Sequence, residues 1–147
     1  MSEPGRARGK TLILCIDRDD DIGKKTKIET PIISRDNNLK SAVNLALVDP
    51  EEADSNAMFA AINLFDRLSA KNNDESYEII TMSGSPLGGI EADRRIVHQL
   101  ESVLESIPAR GVILVTDGFA DDSVIPIIQS RVPITSIHHV IVKHSER

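Results

Sequence analysis

The chain is poor in aromatic residues: three Phe, one Tyr and no Trp make up 3% of its 147 residues. Its core must therefore be built from Ile, Val, Leu and Ala, and it offers few rings on which nucleic-acid bases could stack. Positive charge is also short. Seventeen Lys and Arg against 23 Asp and Glu leave a formal net charge of −6, which disfavours a general phosphate-backbone binder. Cys15 is the single cysteine, so an intramolecular disulfide framework and a multi-cysteine zinc site are excluded. It lies inside the apolar run LILCI and reads as an inert core thiol. No apolar stretch approaches the roughly 18 residues that span a bilayer. The first ten residues, MSEPGRARGK, are basic but precede no apolar region of signal-peptide length. They read as a flexible tail (1–10) ahead of one domain (11–147), with the cytoplasm as the default compartment.

What is present is aliphatic and periodic. Apolar residues form 40% of the chain and charged residues 27%, the balance of an ordinary globular domain. Four apolar runs read as strands: TLILCI (11–16), YEIITM (77–82), GVILVT (111–116) and ITSIHHVIVKH (134–144). The first and third are almost continuous Ile, Leu and Val, as in strands buried on both faces of a parallel sheet. Between the runs lie helical stripes. Leu39, Ala42, Val43, Ala46 and Leu47 form one, closed by Asp49-Pro50. Met58, Ala61, Ile62, Phe65 and Leu68 form the next, begun by Asp54 or Ser55. Ile96, Val97, Leu100, Val103, Leu104 and Ile107 form a third, stopped by Pro108. In the last helix Pro126 belongs in the first three positions, where its missing N–H costs nothing, so the N-cap falls near Ser123 and DGFADD (117–122) is a loop.

Alternating strands and helices predict a three-layer α/β/α sandwich, Rossmann-like and flavodoxin-like, with about four mostly parallel strands in the order 2-1-3-4. Ligands of such sheets bind outside the carboxyl ends of the strands, where the winding reverses. Here that point falls between the first and third runs. Asp17 ends the first and Asp117 the third, 100 residues apart in sequence. Asp19, Asp20 and Asp21 follow Asp17, and Asp121 and Asp122 follow Asp117. Crowded carboxylates need neutralisation, and a hard cation such as Mg²⁺ or Mn²⁺ takes carboxylate oxygens with water. Asp17 and Asp117, helped by Asp19 and Asp122, are the expected metal ligands.

Two further segments invite a phosphorylated small molecule. The loop SGSPLGGIEADRR (83–95) supplies Ser83, Gly84 and Ser85 before a helix N-terminus, where backbone N–H groups hold phosphate. It is no Walker A loop, since it lacks Gly-Lys-Ser/Thr. The segment 18–38 runs about 20 residues without clear periodicity, as functional or mobile loops do, and brings Arg18, Lys24, Lys25, Lys27 and Arg35. Arg18 and Lys24 are the expected ligand-binding members. His138 and His139 are adjacent on a strand and point apart, so they cannot share an ion.

The segments LCIDRDDDIG, TPIISRDNN, GIEADRR and VTDGFADDSVIPIIQSRVPI resemble the soluble N-terminal domain of an archaeal family, domain-of-unknown-function family 373, from Thr11 to Glu146. Members of that family continue into membrane-spanning helices. The resemblance therefore implies membrane attachment of a longer parent, at its cytoplasmic face, and this chain departs from the pattern by ending at VKHSER. It brings no established activity. A weaker similarity joins ILVTDGFADDSVIPII to the last acidic motif of PIN-like nucleases of the NYN type, which would give metal ligation to Asp17, Asp117 and Asp121 or Asp122.

The leading expectation is a Rossmann-like domain binding a divalent cation, a phosphorylated small molecule, or both. One alternative is a metal-dependent phosphoesterase or PIN-like nuclease, with the ion activating water. Another is a non-catalytic domain that forms a homodimer by pairing its last strand with that of a second copy.

Overall fold

The computed structural model describes residues 9–71 and 74–141. In chain order its elements are β1 (Lys10–Asp17), α1 (Asp21–Thr26), β2 (Ile32–Ile33), α2 (Arg35–Val48), α3 (Ala53–Ser69), β3 (Tyr77–Ser83), α4 (Gly89–Ser106), β4 (Ala109–Thr116), α5 (Asp121–Gln129) and β5 (Ile134–His139). One five-stranded sheet, ordered β2-β3-β1-β4-β5, is parallel except for β2, which runs against β3.

Side-chain alternation along the central strands divides the core in two. Leu12, Leu14, Ile80 and Met82 face α4 and α5, meeting Ile96, Leu100, Val124 and Ile128. Ile13, Cys15 and Ile79 face α2 and α3, meeting Ala42, Leu45, Met58 and Ile62. Both faces of β1 are thus buried, which explains its unbroken apolar run. Each fully buried Ile or Leu contributes about 2 kcal/mol by transfer from water. Cys15 is buried and its thiol donates to the Ala57 carbonyl at 3.5 Å. Burial, with Asp54 and Asp117 nearby, pushes its titration upward, so it is an unreactive core thiol.

Several expectations are corrected. The sheet has five strands, not the expected four, so the full order β2-β3-β1-β4-β5 differs from 2-1-3-4 by a strand added outside the second run. The four apolar runs are β1, β3, β4 and β5; the addition is the two-residue β2, too short for its alternation to register in the sequence. It pairs Ile32 with Thr81 and Ile33 with Ile80. The segment 18–38 is accordingly not one long loop, since it holds α1, β2 and the start of α2.

In α2 the expected apolar stripe is rotated. Val43 and Leu47 are exposed, at 40% and 79%, while Asn38 and Ser41 are buried beside Ala42 and Leu45. Asn38 explains the rotation, because its amide donates to the Ile32 and Ile79 carbonyls and accepts from the Thr81 hydroxyl at 2.6 Å. A buried amide with this many partners fixes which face meets the sheet.

Helix α3 is capped by Glu52, and α5 by Ala120 rather than a residue near Ser123. Asp121 and Asp122 therefore form the first turn of α5, and Pro126 lies in the helix interior. Strand β1 begins at Lys10, inside the expected tail, while residues 1–8 of that tail lie outside the described residues. Strand β5 ends at His139, and residues 142–144 of the predicted strand lie outside the described residues. Among the described residues no helix is long and apolar enough to cross a membrane.

Candidate metal centre

Strand β1 lies between β3 and β4, so its carboxyl end is where three loops leave the sheet side by side. Asp17 is its last residue. The chain then turns tightly: the Asp17 carbonyl accepts from Asp20 N at 3.1 Å and from Gly84 N at 2.9 Å. Asp20 takes a left-handed backbone (φ 58°), and its carboxylate caps α1 by accepting from Gly23 N at 3.1 Å. It also meets Arg95 at 3.4 Å. Asp20 thereby faces away from its neighbours, while Asp19 and Asp21 turn back toward Asp17.

The fourth carboxylate comes from elsewhere. Asp54 stands in the first turn of α3, more than thirty residues on. Lys25 explains its position: the ammonium pairs with Asp49 at 2.8 Å and with Glu52, clamping α1 to the turn before α3. As a result one oxygen from each of Asp17, Asp19, Asp21 and Asp54 lies within 4.8 Å of the others. Asp54 was missed by sequence reasoning, which saw only a helix cap there; no local pattern marks it.

Asp17 is the innermost member, only 2% exposed. One oxygen, Oδ2, accepts from Ile22 N at 2.8 Å. The other, Oδ1, is buried without a partner. Burial drives the Asp17 carboxyl up to about 7; the Ile22 N–H opposes this and the Asp19 carboxyl adds to it. Asp54 is pushed far above the carboxylate range, first by burial and then by the charge of Asp17. For Asp21 burial, the largest single effect, again acts upward. The Asp54 and Asp19 carboxyls and the Lys24 ammonium together outweigh it and hold Asp21 low. Without a counter-ion the group thus shares protons among carboxylates that cannot all ionise.

The other expected residues are placed as follows. Asp117 ends up exposed on the β4–α5 loop, where its carboxylate accepts from Phe119 N at 2.9 Å. It lines a cleft of about 260 Å³ together with Arg18, Asp19, Asp21, Asp54 and Phe119, so it faces the group without belonging to it. Asp122 sits exposed on α5, away from that cleft. Asp121 is engaged by the Thr116 hydroxyl at 2.6 Å and by His139 at 3.1 Å, an Asp–His pair that adjacent-histidine reasoning did not foresee. Arg18 pairs with Asp93 at 3.1 Å and Lys24 with Asp21 at 3.2 Å.

Ser83, Gly84 and Ser85 form the seam between two loops. The Ser83 hydroxyl meets that of Thr30 at 2.5 Å, and its amide donates to Gln99 at 3.2 Å. Ser85 N donates to the Arg18 carbonyl, Leu87 N to Ser85 Oγ, and Gly88 N to the Ser85 carbonyl. The amides of Ser83, Gly84, Ser85, Leu87 and Gly88 are therefore all engaged within the protein. Gly84 is required for a different reason than ligand approach: a Cβ there would fall on the Arg18 carbonyl.

These features define an α/β domain with a carboxylate-lined cleft at the carboxyl end of its central strand. The chain belongs to the family described as Domain of unknown function (DUF373), which it matches over residues 10–147. An uncharacterized protein of Archaeoglobus fulgidus is 46% identical over 136 residues, covering 92% of this chain and 39% of the relative. Uncharacterized protein MJ1032 of Methanocaldococcus jannaschii is 35% identical over 138 residues, covering 92% and 37%. The chain thus spans about two-fifths of the length of these curated relatives. No solved structure matches it.

Proposed function

We propose that this domain binds a hard divalent cation through Asp17, Asp19, Asp21 and Asp54, with Asp117 on the facing wall of the cleft. The observation that carries the reading is the Asp17 Oδ1 atom, buried and without a partner at the centre of three other carboxylates. A buried anionic oxygen left unmatched costs several kcal/mol, and a cation is the group that would satisfy all four acids together. The expected pair Asp17 and Asp117 is thereby revised: Asp17 stays at the centre, and Asp54 takes the place of Asp117 and Asp122 as direct ligand. Hard cations prefer such oxygen sets, and no sulfur or imidazole is in the group.

The test is thermal unfolding of the chain with EDTA or with millimolar MgCl₂, MnCl₂ or CaCl₂, alongside Asp17→Asn. A cation-dependent rise in Tm, lost in the variant, supports the site. Wild-type protein whose Tm ignores all three cations would sink it.

A further inference from the structure

The same group specifies which cation. We propose that it is a Ca²⁺ site, a clasp between the β1–α1 loop and the first turn of α3, rather than a Mg²⁺ centre completed by a phosphate ligand; this rests on the cation reading above. Mg²⁺ demands near-ideal octahedral geometry, keeps several waters, and is typically held by one or two carboxylates plus substrate phosphates. Ca²⁺ accepts six to eight oxygens in flexible arrangements and is at home among many carboxylates. Four carboxylates from two separate segments converge here. Three of them are spaced D-x-D-x-D in one tight turn, at 17, 19 and 21, so that a single loop wraps the ion while Asp54 closes it from α3.

A second observation bears on the phosphate. A phosphate bound beside Mg²⁺ would need a nearby cationic side chain to receive its charge. The basic groups around the loop already form ion pairs, Arg18 with Asp93, Lys24 with Asp21, Lys25 with Asp49 and Glu52, and Arg95 with Asp20, which leaves the buried Arg18 Nε as a lone unpartnered donor against several carboxylates. The cleft beside the group is walled by Asp19, Asp21, Glu52, Asp54 and Asp117 against Arg18 alone. An incoming dianion would meet uncompensated carboxylates, whereas a dication of large radius, with waters filling the cleft side, would not. The partnerless Asp17 Oδ1 supplies the innermost ligand in either case.

Isothermal titration calorimetry decides the matter, with CaCl₂ alone, MgCl₂ alone, and MgCl₂ with inorganic phosphate. Wild type is compared with Asp54→Asn and with the more peripheral Asp19→Asn, each checked for native far-UV circular dichroism. The expected result is Ca²⁺ binding at least tenfold tighter than Mg²⁺. Each folded variant should weaken Ca²⁺ at least tenfold, and phosphate should leave the Mg²⁺ affinity unchanged. Mg²⁺ affinity equal to or above that of Ca²⁺, or raised tenfold by phosphate, overturns the Ca²⁺ assignment and leaves the cation reading intact. Absence of binding by either metal overturns both. Folded variants that bind Ca²⁺ as wild type does overturn the clasp.

Discussion

Asp17→Asn should stabilise the protein when cations are removed and make it insensitive when they are supplied. The carboxyl of Asp17 is driven from 3.8 up to about 7 by burial first. At 1.36 kcal/mol per tenfold change in proton affinity, that displacement costs the folded state about 4 kcal/mol at pH 8. Asparagine carries no charge to desolvate, keeps an oxygen for the Ile22 amide, and puts an NH₂ where Oδ1 now lacks a partner. Against this, the Ile22 bond loses its charge assistance, about 1 kcal/mol, and the amide has its own burial cost of about 1 kcal/mol. The net expectation is about 2 kcal/mol of added stability at pH 8 in EDTA. For a chain of this size that raises Tm by roughly 4–8 °C.

Saturating Ca²⁺ should reverse the order. At a free concentration of 100 Kd it adds about 2.7 kcal/mol to wild type and nothing to the variant. Urea and thermal unfolding in EDTA and in CaCl₂, followed by far-UV circular dichroism, measure both effects. A variant less stable than wild type in EDTA would refute the reasoning, because Asp17 would then be stabilising as an anion without a metal.

Other consequences are open to equally direct checks. Because Asp17 is raised in the fold, the native state keeps a proton that the unfolded chain loses above 3.8. Its contribution to stability should therefore fall as pH rises from about 4 to 7 and level off above that; urea midpoints in EDTA across this range test the sign, and a rise with pH attributable to Asp17, absent from Asp17→Asn, contradicts it. Gly84→Ala would drive a methyl group into the Arg18 carbonyl and separate the two loops, at about 2–3 kcal/mol by the usual cost of overpacking, measurable as a lower urea midpoint. Asn38→Ala strips the buried amide that holds α2 to Ile32, Ile79 and Thr81 and should cost about 2–4 kcal/mol. Since Asn38 lies outside the carboxylate group, the folded variant should bind Ca²⁺ with wild-type affinity in calorimetry.

The sequence by itself determined the central strands and the inner end of the site. β1 and β4 were legible because a strand buried on both faces leaves a nearly unbroken aliphatic run, β3 as a shorter apolar run with more polar residues, and Asp17 stood out as the charge where the first run stops. α4 was legible from a different local signal, apolar residues at helical spacing from Ile96 through Leu100 and Val103. The tertiary structure alone decided the rest. β2 has two residues and exists because β3 has an edge to pair. The exposed face of α2 was misjudged because a hydrogen-bonded Asn38, not an apolar side chain, anchors it. Asp54 became part of the group only through the Lys25 clamp on Asp49 and Glu52, a contact between segments with no signature in either. Asp122 left it because α5 starts at Asp121. Periodicity records which face of an element is buried, while the meeting of four carboxylates depends on how separate elements pack, and that is set by contacts across the chain.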